Sequence, residues 1–186
     1  MRLDFSTATH VIALEPGVYR AHTDPSWQQG RGVFGGMLLA LVVRASRAHG
    51  PGHRLRSLSM EFVAPVKSGE LTLRVQSERS GLLVARQSVR LIQDDKLVGL
   101  AVLSLARDRS QDADFQSVGL PELAPISQIP ALPFVPPMPA FTQHFRYHHG
   151  LGGLPGRDQA HIRTGGWLRA PEVQGPGDTA LIAALL

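Results

Sequence analysis

The sequence predicts an α+β fold in which an antiparallel sheet wraps one central apolar helix, followed by the start of a second unit of the same kind. Three observations carry this. One helix-length apolar stretch, Gly36 to His49, lies between strand-like segments. Four further strand-like segments follow it with no second helical pattern among them. After a proline-rich break, the order strand, strand, capped apolar helix begins again.

The elements follow in order. His10 to Leu14 and Val18 to His22 read as short strands around the turn pair Pro16-Gly17. DPSWQQGRG, Asp24 to Gly32, is a loop, and the helix after it is closed by Gly50-Pro51. Arg44, Arg47 and His49 lie in its later turns, where the negative end of the helix dipole favours cations. Val33 to Val43 is an uninterrupted apolar run of eleven residues, too short to span a bilayer and suited to a buried helix. Such a helix needs cover on all sides, which a curved sheet plus a partner provides.

Leu55 to Val63 is the next strand. Gly69 to Arg79 alternates Leu71, Leu73 and Val75 with polar residues, a half-buried strand of period two. Leu83 to Gln93 alternates likewise, joined through Ser80-Gly81 and followed by the hairpin turn Asp94-Asp95. Leu97 to Ala106 is nearly all apolar and is expected to be a central strand covered on both faces. Seven of the fourteen prolines lie between Pro121 and Pro139, so that stretch is extended linker. Phe141 to His149 and His161 to Ala170 read as strands, and Asp178 caps an apolar helix from Thr179. The domain organisation is therefore residues 1–107, a linker 108–139, and an incomplete second unit 140–186.

The 186 residues hold 43% hydrophobic and 18% charged residues, a globular balance. Cysteine is absent, which removes disulfides, thiolate metal sites and cysteine nucleophiles. The N-terminus carries Asp4 and no long apolar core, so it does not read as a signal peptide, and a cytoplasmic location is expected. Net charge is +4, but the arginines are scattered and aromatics are only 6%, so no nucleic-acid partner is expected. An anionic small molecule suits the mild positive balance equally well.

Four stretches in this order resemble the double-hotdog acyl-CoA thioesterases, of the acyl-CoA thioesterase II type. They are GVFGG, Gly32 to Gly36, opening the helix; SLSMEFVAPV, Ser57 to Val66, with Phe62 and Pro65 in place; ERSGLLVARQSVRLIQ, Glu78 to Gln93; and GWLR, Gly166 to Arg169, followed by Asp178 and an apolar helix. The resemblance implies two hotdog domains side by side, an acyl-CoA substrate, no cofactor and no metal. It places Phe34, Met37 and Arg56 against the substrate. The apolar helix from Thr179 lacks a partner and sheet edges are unpaired, so a homo-oligomer is expected. Relatives often carry histidines where this chain has Arg56 and Ser59, and a glutamine in place of Met37. The family's catalytic aspartate lies on the second hotdog's helix, with Thr/Ser and Gln partners on later strands; by position the aspartate falls just beyond Leu186, and none of the three is assigned in this chain.

Thioester hydrolysis needs a donor for the carbonyl oxygen and a carboxylate that attacks or activates water. Free N–H groups at a helix start carry partial positive charge, and one aimed at a developing oxyanion contributes on the order of 3 kcal/mol. Gly36, with its neighbour Gly35, is the candidate pair of oxyanion donors; the other reading is a tight helix–strand packing turn. On the donor reading, Gly36→Val costs more in turnover than in folding. Asp178 is read first as a helix cap, and Glu61 as a solvated strand residue with a cleft-facing alternative. His144 and His148 share a strand face, with His149 and His161 near, but no acid or cysteine at ligand spacing joins them. No G-x-S-x-G elbow or phosphate-binding loop occurs. Arg31, His53, Arg54 and Arg56 are candidates for CoA phosphates or plain surface cations. The functional expectation is an acyl-CoA thioesterase-like hydrolase; the alternative is a non-catalytic acyl-CoA or acyl-carrier-binding hotdog.

Overall fold

The computed structural model describes residues 4–50, 52–110, 119, 121–153, 163–173 and 175–185. A short helix α1 (Phe5–Ala8) precedes strands β1 (Ile12–Glu15) and β2 (Val18–Thr23). A single 3-10 turn, Pro25–Trp27, leads into a two-residue-strand hairpin, β3 (Gln28–Gln29) and β4 (Gly32–Val33). Helix α2 (Gly35–His49) follows, then β5 (Arg54–Phe62), β6 (Gly69–Ser80), β7 (Val84–Gln93) and β8 (Lys96–Ala106). After the proline-rich segment come β9 (Arg146–Gly152), β10 (Thr164–Arg169) and α3 (Thr179–Leu185).

Six strands form one antiparallel sheet in the order β1-β2-β6-β7-β8-β5. Local chemistry sets its hairpins. Asp94 and Asp95 both have positive φ, 51° and 58°, which turns β7 directly into β8 with the twist that tight hairpins require. Register then aligns the apolar positions: Leu73 opposite Leu91, and Val75 opposite Val89, which itself faces Ala101. These residues are buried, and with Leu71 and Leu103 they form the face on which α2 lies. On α2, Met37, Leu38, Ala40, Leu41, Val42, Val43 and Ala45 are all buried, as the apolar run requires. A buried polar pair crosses between helix and sheet, Ser46 Oγ and Gln87 Oε1 at 2.5 Å, and an exposed one, His49 Nε2 and Ser77 Oγ at 3.2 Å, joins them at the helix end.

The expectation that β8 is covered on both faces is corrected. It is interior in the sheet, but Val102 is 46% exposed, and Leu100 and Ser104 are only partly covered. A single helix layer lies against the sheet among the described residues, and it covers one face.

Phe141 to His149 is also corrected. Ala140–His144 is a 3-10 helix and the strand starts only at Arg146. The Pro139 carbonyl accepts both the Thr142 N–H at 3.0 Å and the Thr142 hydroxyl at 2.7 Å, which winds the chain into a tight turn. His144 and His148 therefore do not share a strand face. His161 lies outside the described residues. The proline-rich stretch carries a 3-10 turn at Ile126–Gln128 and packs against β9 and β10: Leu132 N–H donates to Tyr147 O at 2.7 Å, and Trp167 Nε1–H to Ala124 O at 2.9 Å.

Two contacts bring the end of the chain onto its beginning. Trp27, fully buried, stacks on His144 with ring centroids 3.9 Å apart and meets Phe145 edge-on. Helix α3 lies antiparallel to α2: Arg44 pairs with Asp178 at 2.5 Å at one end, and Gly36 meets the Ala184 carbonyl at the other. Asp178 caps α3 as expected, its Oδ1 accepting the Leu181 N–H at 2.9 Å.

Asp24 opens the turn that carries Trp27. Hydrogen bonds from the Ser26 hydroxyl and then its N–H hold the Asp24 carboxyl below the ordinary carboxylate value. A depressed folded-state value means its stabilisation is complete above the unfolded carboxylate pKa of about 3.9 and is lost as pH falls below it. Asp24→Asn is expected to flatten the dependence of stability on pH between about 4 and 2, read from denaturant midpoints along that range. An unchanged slope would show that the Asp24 turn is not acid-sensitive.

Candidate functional site

Helix α2 starts without a side-chain cap. The preceding residue is Phe34, which has no cap hydrogen bond to offer. Phe34 N–H is taken by Trp27 O at 2.8 Å, and Met37 N–H and Leu38 N–H turn back to Phe34 O at 3.0 and 3.3 Å. Among the described residues, the N–H groups of Gly35 and Gly36 have no acceptor. The helix therefore presents two unspent donors at its positive end.

These donors stand at the wall of a cavity of about 390 Å³. Its lining is almost wholly apolar and strongly aromatic: Phe34, Phe62, Phe141, Phe145 and Tyr147, with Leu39 and Leu168 between them. Phe34 and Phe141 stack on each other with centroids 3.9 Å apart. A second cavity, about 470 Å³, shares Gln29, Gly35 and Phe62 with the first, and Arg31 is its charged residue. Phe62, 55% exposed, is a common wall of the two. A Cβ on Gly35 would lie 3.1 Å from the Phe62 ring, so glycine there lets the ring close on the helix start. Among the described residues no carboxylate side chain lines either cavity.

Gly36 carries a second constraint. A Cβ there would fall 2.2 Å from the Ala184 carbonyl oxygen and 2.5 Å from the Phe34 ring. Gly36 thus combines an N–H without an acceptor among the described residues with a packing contact that admits no side chain.

Of the remaining predicted residues, the structure brings Phe34 into the first cavity and leaves two elsewhere. Met37 is fully buried and lines neither cavity. Two residues before Leu39, it points about 160° away from that side chain around the helix. Arg56 projects from the sheet-edge strand β5 into solvent and holds Asp108 at 2.6 Å. Six residues separate it from Phe62, about 20 Å along a strand. Its hydrogen bond is the main reason the Asp108 carboxyl is held below its ordinary value. Glu61 is exposed on β5 and lines neither cavity. His148 Nδ1 pairs with Ile129 O at 2.6 Å and His149 Nε2 with Gly152 O at 2.9 Å. Among the described residues no group of three metal-ligating side chains forms.

Sequence reasoning missed the rings that arrive from the far side of the linker. Phe141, Phe145 and Tyr147 recur at short spacing and are the densest aromatic cluster after the proline-rich stretch. That clustering was the available signal.

The arrangement of helix and sheet is that of the hotdog fold. A hotdog-fold protein of unknown function from Alicyclobacillus acidocaldarius superposes with a TM-score of 0.86 at 22% identity, over 97% of this chain and 67% of that one. An acyl-CoA thioesterase II from Mycobacterium marinum does so with a TM-score of 0.71 at 18% identity, over 97% of this chain and 66% of that one. The chain thus spans about two thirds of the length of these structures. Residues 23–106 match the family described as the acyl-CoA thioesterase N-terminal domain, and over that segment the family resemblance holds. No curated protein matches the chain by sequence.

Adding a methyl at Gly36 is expected to push α3 away from α2. Gly36→Ala should lower stability by roughly 1–3 kcal/mol, the range of core overpacking, measured by denaturant unfolding. A variant as stable as the parent would remove the packing constraint.

Proposed function

We propose that this chain contributes the acyl-binding and oxyanion half of an acyl-CoA thioesterase-like hydrolase. The observation that carries the reading is the uncapped start of α2, with the free N–H groups of Gly35 and Gly36 at the wall of an aromatic-lined cavity. On this reading the acyl chain lies among Phe34, Leu39, Phe141 and Tyr147, with the thioester carbonyl at the glycines. Water attacks the carbonyl carbon, the two N–H groups stabilise the oxyanion, and collapse breaks the C–S bond to give the free acid and CoA. Arg31, in the adjoining cavity, meets the polar end of the substrate. The carboxylate that activates water comes from outside these residues. We read β9, β10 and α3 as the opening of a second hotdog whose helix already lies against the first.

The lack of a carboxylate side chain among the described residues lining the cavities favours a second reading, a hotdog that binds acyl-CoA or an acyl carrier without cleaving it. Decanoyl-CoA separates the two. Release of free thiol, followed with a thiol-reactive dye, supports the hydrolase; saturable binding without thiol release supports the binding protein. In either case Leu39→Arg, which places a charge in the apolar cavity, should weaken decanoyl-CoA binding by roughly tenfold or more. Binding unaffected by that change would place the acyl chain elsewhere.

Among the described residues the outer edge of β5 is unpaired, and Phe62 and Val63 beside its end are each 55% exposed. An open edge flanked by apolar side chains invites pairing. We propose that the protein self-associates along β5. Light scattering should give a mass above 20.1 kDa; a monodisperse monomer would refute this.

A further inference from the structure

Because α2 and α3 run antiparallel, their pairing has a second end, away from Gly36. There the C-terminal half of α2, the start of β5, the end of β8 and the start of α3 enclose a cleft of about 680 Å³. This is larger than either cavity at the glycines and shares no residue with them. It lies within the range of roughly 300–1,000 Å³ usual for small-molecule sites.

The cleft is chemically divided. Val43, Leu55, Leu103 and Leu105 form an apolar floor, and Ile182 of α3 stands over it, 53% exposed. The rim carries Arg47, His53 and Arg54. Its single carboxylate, Asp178, is already committed, with one oxygen taking the Leu181 N–H and the other Arg44. Arg54 shares Asp108 with Arg56, so two guanidinium groups meet one carboxylate. Arg47 makes no ion pair among the described residues. The mouth thus holds unbalanced positive charge over a greasy base, an arrangement complementary to a chain with a negative head.

We propose that this cleft is a second binding site, separate from the thioester site, which takes a single-chain anionic amphiphile. The chain lies along Val43, Leu55, Leu103 and Ile182, and a carboxylate or phosphate head meets Arg47 and Arg54. Because none of its residues belongs to the glycine site, the assignment stands or falls independently of the hydrolase reading.

Ile182 supplies the local reporter. It is one of six isoleucines and lines this cleft but not the cavities at Gly35. In methyl-labelled protein, decanoate and decyl phosphate should each shift the Ile182 signal saturably, at concentrations below micelle formation. Whichever binds more tightly names the head group, and either supports the site. Decanol should bind at least roughly tenfold more weakly, and Arg47→Glu should weaken decanoate by about tenfold or more with an unchanged circular dichroism spectrum. An unmoved Ile182 signal, equal binding of decanol, or an Arg47→Glu titration matching the parent would each overturn the proposal.

Discussion

Helix α2 has no polar side over most of its length, and the rest of the structure is arranged around that fact. From Met37 to Val43 nearly every side chain is buried. The sheet covers one flank with Leu71, Leu73, Val89, Leu91 and Leu103, and α3 covers another with Ala180, Leu181 and Ala184. A helix this apolar leaves water only if both flanks are closed. Closing the second flank brings the Ala184 backbone onto the first turn of α2, and only glycine at position 36 allows it. The free donors, the cavity beside them and the cleft at the far end all follow from how the two helices meet.

The first hundred residues were largely legible because their signals are local. Period-two alternation in β6 and β7, and turn residues between them, define strands without reference to anything distant. Legibility failed where distant contacts decide. The apolar run of β8 is compatible with cover on one face or two, and only the number of layers settles it. Phe141 to His149 reads as one strand, yet His144 turns inward to stack on Trp27, a partner more than a hundred residues earlier. The candidate site divides the same way. Gly35, Gly36 and Phe34 could be read from one short stretch, whereas Phe141, Phe145, Tyr147 and Leu168 reach the cavity from beyond the linker. Met37 and Arg56 were assigned by analogy of position, and helix rotation and strand length place them elsewhere.

The site is chemically one-sided. It offers hydrogen-bond donors and an apolar enclosure, the elements that bind a thioester and stabilise charge on its oxygen. Aromatic walls raise the value of those donors by lowering the polarity around them, since a charge developing beside an apolar surface gains more from a fixed dipole than one in open solvent. On the proposed reading such a half-site selects acyl groups before any bond is broken, so recognition and hydrolysis are tested separately.

The Ser46–Gln87 hydrogen bond has a meaning that burial alone does not convey. An oily cylinder in an oily trough can rotate or slide with little change in the area it hides. A buried donor and acceptor that must find each other remove that freedom, because any other setting strands both in a dry interior. The contact stabilises little by itself but selects one angular setting of α2. That setting is what turns Gly35, Gly36 and Leu39 toward the cavity and Met37 away from it. Aim, in this fold, is fixed in part by a serine three turns from the glycines being aimed.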